Sequence, residues 1–196
     1  MRRASLGAIL GALLALTGGE VRARVYLTQQ QALERAFPPP RSVERRTLYL
    51  SDAQARAAAR EVGVPIEVRV VPYYVGLLEG RPAGYGYFDT HLVRTLPETI
   101  LILLAGDGRI VRIDILSFDE PEDYLPSGRW LGQFPGHALD DDLALNKDIR
   151  SLTGATLSAR AITEAARRVL ALHRLFVAPS PERPRGTGDR EPGTPR

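Results

Sequence analysis

Two apolar segments joined by a glycine-rich turn constrain the fold of this chain more than any other feature. Residues 99–104 are an almost continuous apolar run, and residues 110–116 alternate between apolar and charged side chains. Between them, Gly106, Asp107 and Gly108 have the composition of a tight hairpin turn. The pattern predicts two antiparallel strands. It also predicts that even-numbered residues of the second strand share one side and odd-numbered residues share the other.

Helices and further strands are predicted on both sides of this hairpin in the chain. Apolar residues recur at helical spacing in residues 158–177, which form the clearest helix. Two shorter helices are predicted at 26–37, with Thr28 as N-cap, and at 53–61, with Ser51 or Asp52 as N-cap. The other assignments are strands at 47–50, 67–74 and 85–90, a turn-rich stretch at 80–86, and an irregular or briefly helical stretch at 118–133. The sequence therefore predicts an α+β fold, a single domain with a mostly antiparallel twisted sheet, flanking helices and a long C-terminal amphipathic helix.

The two ends of the chain differ in composition from its middle. Residues 1–23 have a basic start, a short apolar run and small residues at the end, which is the layout of a secretory signal peptide. An uncleaved membrane anchor is the alternative. Residues 179–196 are rich in proline, glycine and arginine, so we expect a disordered tail. These ends predict one folded domain at 24–178 with an extracytoplasmic, periplasmic location.

Composition argues against several classes of site. The chain has no cysteine, and His91, His137 and His173 match no zinc-binding spacing. The formal net charge of +3 arises from mixed charges of both signs, so we expect no nucleic-acid partner. No Gly-x-Gly-x-x-Gly segment follows a predicted strand, which argues against direct oxidation of a nicotinamide dinucleotide. We therefore expect neither a metal centre nor a dinucleotide site.

The segment that leads into the last helix carries the candidate chemistry. Its residues are Thr153, Gly154, Ala155, Thr156, Leu157 and Ser158. The first amides of a helix lack partners within the helix, and the helix dipole is positive at that end. Hydroxyl groups and a glycine that lets the backbone approach a ligand are suited to binding phosphate there. A simple N-cap with a preceding turn explains the same residues, so composition alone leaves both interpretations open.

The same run resembles the flavinylation motif of the FMN-binding domain family, whose members include components of the sodium-pumping NADH:quinone reductase and of the Rnf electron-transport complex. The family pattern is Asp-x-x-Ser/Thr-Gly-Ala-Thr, and residues 153–158 fit its second half without a gap. The resemblance implies one FMN bonded through its phosphate to Thr156. It also implies that a separate magnesium-dependent flavin transferase uses FAD and releases AMP. Thr156 is then an attachment point, and no residue is assigned as catalytic.

One position departs from the family pattern. Arg150 stands where the family has its leading aspartate, and Asp148 is the nearest acid upstream. FMN held without a covalent bond therefore remains an alternative. Lys147, the only lysine in the chain, and Arg160 are further candidates for contact with the FMN phosphate, and a solvent-exposed base is the simpler interpretation of Lys147.

Other side chains have two interpretations each. The aromatic residues Tyr124, Trp130 and Phe134 either stack on the flavin or cover the core. His91 either contacts the isoalloxazine ring or is a polar strand residue, and the acidic run at 140–142 is expected to be a solvated turn.

The residues and the resemblance together predict an exported electron carrier that relays electrons between membrane or extracytoplasmic redox partners. Two alternatives stay open. One is an exported flavin-dependent reductase that acts on a small acceptor. The other is a non-redox binding module in which the motif only caps a helix.

Overall fold

The predicted hairpin lies within a six-stranded antiparallel sheet in the computed structural model, which describes residues 24–178. The strands are β1 (Arg24–Val25), β2 (Ser42–Tyr49), β3 (Val70–Leu78), β4 (Arg81–Leu92), β5 (Pro97–Ala105) and β6 (Ile110–Phe118). Their order across the sheet is β1-β6-β5-β4-β3-β2. The predicted α+β class and antiparallel sheet are confirmed. The signal peptide predicted at 1–23 and the tail predicted at 179–196 lie outside the described residues.

Four α-helices accompany the sheet in the described residues, and two of them begin at N-caps predicted from the sequence. They are α1 (Gln29–Ala36), α2 (Asp52–Val62), α3 (Gly128–Leu131) and α4 (Thr156–Leu172), with a 3₁₀ turn at Glu122–Tyr124 and a π-helical turn at His173–Val177. Thr28 caps α1 and Ser51 caps α2, each through a reciprocal capping box. Gly63 ends α2 in a left-handed conformation. None of the helices in this part of the chain is long and apolar enough to cross a membrane.

Helix α4 and the sheet enclose the main core. Ile162, Ala166 and Val169 on α4 pack into the same cluster as Tyr87 and Ile102 on the sheet. The predicted apolar face of this helix is therefore confirmed. The helix begins at Thr156, two residues earlier than expected, so Thr156 is its first residue.

On the opposite face of the sheet, the residue that ends helix α1, Phe37, packs on a column of glycines. A Cβ at Gly76 would overlap the Phe37 ring, and one at Gly86 would lie 3.4 Å from it. A Cβ at Gly84 would lie only 2.9 Å from the carbonyl oxygen of Leu104. The ring rests on bare backbone because these three positions have no side chain.

These glycines correct one prediction. Residues 80–86 are turn-rich by composition, but the turn comprises only Glu79 and Gly80, and β4 runs continuously from Arg81. Gly84 and Gly86 lie within the strand, and the absence of side chains there lets the Phe37 ring pack against the backbone.

A β-bulge corrects a second prediction. The ladder between β5 and β6 pairs Leu103 with Arg112 but Leu104 with Ile110, so Val111 falls between two paired positions. As a result Ile110 and Ile113 both belong to the main core, although their spacing predicts opposite sides of the strand.

The candidate site at the start of helix α4

The loop before α4 is held in place by hydrogen bonds from its own residues and from α3. Asn146 adopts a left-handed conformation with φ 63°, and its side-chain oxygen accepts a 2.6 Å hydrogen bond from the Ser151 hydroxyl. The indole Nε1 of Trp130 donates to the carbonyl of Arg150 at 2.7 Å, and the Arg150 amide donates to Gln133 at 2.9 Å. The motif is therefore presented by a loop with a defined shape.

The start of α4 has no side-chain cap among the described residues. Its N-cap is Ala155, which offers no acceptor, whereas Thr28, Ser51 and Ser127 cap the other three helices. Thr156 is exposed, and its hydroxyl makes one long hydrogen bond, 3.3 Å, to the carbonyl of Leu152. The first amides of the helix and the Thr156 hydroxyl are thus available to an anion, and the helix dipole favours negative charge at this end.

Gly154 is required by backbone conformation. Its φ is +82°, which residues other than glycine rarely adopt, and apart from its two chain neighbours no heavy atom of the described chain lies within 4 Å of where its Cβ would be. The space beside Gly154 is therefore open. Thr153 is also exposed, and Leu157 is 45% exposed.

Ser158 has a structural partner already. Its hydroxyl is buried and donates a 2.6 Å hydrogen bond to the carbonyl of Tyr124. This bond joins the first turn of α4 to the 3₁₀ turn that follows β6. The role predicted for Ser158 in binding the cofactor stays a prediction.

Two clefts meet at Thr156. The Tyr124 cleft, of about 210 Å³, is lined by Arg94, Tyr124, Gly154, Ala155, Thr156, Leu157 and Ser158. The Arg160 cleft, of about 320 Å³, is lined by polar residues that include Asn146, Arg160 and Glu164 as well as Thr156. The structure therefore brings Arg160 and Tyr124 to the motif, as two of the sequence-based interpretations required.

Arg94 is a residue of the site that the sequence does not predict. Its guanidinium carbon lies 4.8 Å from the centre of the Tyr124 ring, which is a cation–π contact. Arg94 is far from the motif along the chain, and no local pattern connects the two segments. Only the fold brings them together.

The segment that carries Arg94 is fixed by one carboxylate. Oε1 of Glu120 accepts hydrogen bonds from the amides of Arg94, Thr95 and Leu96 at 3.2, 2.7 and 3.0 Å. These backbone hydrogen bonds, led by that of Thr95, lower the pKa of Glu120 because they stabilise its charged form. The backbone at Arg94 therefore has a defined position beside the motif.

Other candidate residues lie away from Thr156. The Lys147 ammonium contacts the carbonyl of Asp141 at 2.7 Å and the carboxylate of Asp142 at 3.2 Å, and it lines neither cleft. Trp130 and Phe134 are buried against each other, with ring centres 5.3 Å apart. They cover the core.

His91 belongs to a separate group of charged side chains. Its ring nitrogens contact Asp89 at 2.8 Å and Glu98 at 3.1 Å, and Arg168 of α4 contacts Asp89 at 3.1 Å. In the part of the chain that the structure describes, no group of three or more histidine, aspartate or glutamate residues is suited to hold a metal ion.

The position that departs from the family pattern lies in a third cleft. Arg150 and Asp148 both line this Arg150 cleft, of about 510 Å³, together with Arg129 and Gln133. Asp148 is thus close to Arg150 in space as well as in sequence.

Comparison with known proteins relates this site to a family. Residues 97–171 match the family model described as the FMN-binding domain, a segment that runs from β5 through nearly all of α4 and includes Thr156. No curated protein matches the chain significantly. The match to the family model supports a flavin-binding protein. This match confirms the resemblance noted in the motif, and the cofactor that the family implies is FMN.

Proposed function

We propose that the protein is an exported electron-transfer flavoprotein whose FMN is attached through its phosphate to Thr156. The observation that supports this most is the exposed Thr156 hydroxyl at the uncapped start of α4, where two clefts meet. A threonine whose only role was to cap the helix would stand at position 155, and that position holds Ala155.

The chain supplies several groups suited to a phosphate at this point. The amides of Thr156, Leu157 and Ser158 begin the helix, and their partial positive charge is augmented by the helix dipole. The guanidinium of Arg160 lies one turn further along and lines one of the two clefts. Phosphate oxygens at Thr156 would therefore be surrounded by donors without any rearrangement of the backbone.

Attachment of FMN is a phosphoryl transfer with a simple balance. The Thr156 oxygen bonds to the FMN phosphorus of FAD, the bond from that phosphorus to the oxygen of AMP breaks, and the hydroxyl proton leaves with the products. No electrons are exchanged in this step. A flavin transferase would catalyse it, so the chain needs no general base beside Thr156.

Electron transfer is the function that this arrangement suits best. When bound, FMN supplies the redox chemistry, and the protein holds it and adjusts its potential. A ring attached at the exposed start of α4 would be accessible to another redox protein. The layout of residues 1–23 supports export, so we propose that membrane or extracytoplasmic redox partners donate and accept the electrons.

Covalent attachment can be tested directly. The full chain is produced with its own N-terminal segment together with a flavin transferase, then purified and denatured. We expect yellow, fluorescent polypeptide and a mass increased by one FMN less one water. Thr156→Ala should lose both, whereas Thr90→Ala, an exposed threonine on β4, should keep both. Colourless wild-type protein under these conditions would contradict the proposal, and colour lost on denaturation would show non-covalent binding.

A further inference from the structure

The Tyr124 cleft and the Arg160 cleft offer the isoalloxazine ring two different environments beside Thr156. The Arg160 cleft contains the carboxylate of Glu164 and mostly polar side chains. The Tyr124 cleft contains an aromatic ring, the exposed Leu157 and the buried Ala155, and Arg94 is the one charged residue among its described lining. A flat, largely apolar ring system is better accommodated by aromatic and aliphatic surfaces than by a carboxylate.

Arg94 gives the Tyr124 cleft a planar cationic surface. Its guanidinium covers the Tyr124 ring at 4.8 Å on one side, and the residue is exposed. A guanidinium is planar and stacks on aromatic systems, so Arg94 and Tyr124 together offer a flat ring a cationic and an aromatic surface. The first turn of α4, with Thr156, borders the same cleft.

The surrounding structure holds this pair of residues in position. Glu120, which is 8% exposed, uses one oxygen to bind three consecutive amides beginning at Arg94. The Tyr124 carbonyl accepts the hydrogen bond from Ser158, which ties the tyrosine segment to the helix that bears Thr156. The attachment point, the guanidinium and the tyrosine thus belong to one connected framework.

We propose that Arg94 and Tyr124 form the binding surface for the isoalloxazine ring, with Glu120 as a positioning residue. The inference rests on the proposed function, because it takes Thr156 as the point of attachment. A fixed positive charge beside the ring stabilises its reduced, more negative form relative to its oxidised form. Arg94 therefore raises the midpoint potential, and Tyr124 quenches the fluorescence of the flavin by contact.

The holoprotein provides the first test. Wild type, Arg94→Gln, Arg160→Gln and Arg81→Gln are loaded with flavin, and their midpoint potentials are measured against reference dyes. Arg81 is an exposed arginine at the other end of β4 and serves as the matched control. We expect Arg94→Gln to disfavour the reduced form about tenfold, which is about 30 mV for a two-electron couple. A shift in Arg160→Gln with none in Arg94→Gln would place the ring in the Arg160 cleft and overturn the inference.

A second test does not depend on covalent attachment. Riboflavin, which lacks the phosphate, is titrated into Thr156→Ala protein while its fluorescence is recorded. We expect the Thr156→Ala protein to quench riboflavin fluorescence. The quenching should be several-fold weaker in the double variant that also carries Tyr124→Leu and unchanged in the double variant that also carries Arg81→Gln. Quenching that neither Tyr124→Leu nor Arg94→Gln changes would refute the inference, even if Thr156 carries FMN. Failure of the proposed attachment would show separately, as wild-type protein without bound flavin after denaturation.

Discussion

The most quantitative prediction concerns His173, which is buried at the end of α4. The ring is 2% exposed, its Nδ1 lies 2.9 Å from the Tyr87 hydroxyl, and the Tyr85 ring packs edge-on at 4.5 Å between centres. Burial raises the pKa of Tyr87, so its hydroxyl stays protonated and shares a hydrogen bond with Nδ1. Burial lowers the pKa of His173 from 6.5 to about 4, so the ring is neutral at pH 7.

The lowered pKa predicts a loss of stability in acid. The unfolded chain binds a proton on His173 below about pH 6.5, whereas the folded chain resists it until about pH 4. The stability that neutral His173 contributes is thus complete above pH 6.5 and is lost as the pH falls through 4. A pKa lowered from 6.5 to about 4, at about 1.4 kcal/mol for each pH unit, corresponds to roughly 3 to 4 kcal/mol. This amount is a large fraction of the stability of an ordinary domain.

A comparison of variants isolates this effect. His173→Asn keeps an acceptor for Tyr87 but cannot be protonated, so it should be less stable than wild type at pH 7 and lose that disadvantage towards pH 4. The free energy of unfolding is measured by urea titration of Trp130 fluorescence from pH 4 to 7.5. Thr90→Ala, which removes no titratable group, should show the same pH dependence as wild type. A constant difference between wild type and His173→Asn across this range would refute the reasoning.

Two further predictions concern the sheet. Gly76→Ala should destabilise the fold by about 1–3 kcal/mol in thermal melts, because the added methyl group would overlap the Phe37 ring. Gly128 has open space around it, so Gly128→Ala should change the melting temperature little. Equal melting temperatures for the two variants would contradict this packing. Burial alone would lower the pKa of His91, but the hydrogen bonds that its ring donates to the carboxylates of Asp89 and Glu98 outweigh burial and raise the pKa to about 9. The stabilisation from protonated His91 is therefore complete below pH 6.5 and is lost as the pH rises through 9. Wild-type stability should decline between these pH values, and His91→Gln should show a smaller decline. Parallel stability curves for wild type and His91→Gln would contradict a charged His91 paired with its carboxylates.

Local patterns in the sequence are sufficient to predict the helices, the hairpin and the motif. Each depends on residues that are neighbours in the chain. Thr28 caps the helix that follows it, and Gly106 and Gly108 lie in the turn that joins β5 to β6. The same reasoning places Thr156 near the start of a strong helix, because capping and amphipathic spacing are local properties. These features are accessible without knowledge of the fold.

Features that depend on distant residues are not accessible in this way. Gly84 and Gly86 resemble turn residues in the sequence, because composition does not distinguish a glycine that bends the chain from one on which Phe37 packs. The bulge at Val111 breaks an alternation that is regular in the sequence. Arg94 reaches the motif only because of the way β4 and β5 are paired, so it too could not be predicted.

The two clefts at Thr156 have a consequence for how the protein keeps its flavin. A flavoprotein that binds FMN reversibly must enclose it, because occupancy depends on the dissociation constant and the free concentration of the ligand. The spaces beside Thr156, of about 210 and 320 Å³, are small and lie at the surface beside exposed residues of α4. If the proposed phosphoester forms at Thr156, retention no longer depends on affinity, and dilution after the proposed export would remove no cofactor. The domain can then leave an edge of the ring uncovered, which shortens the distance to any redox partner.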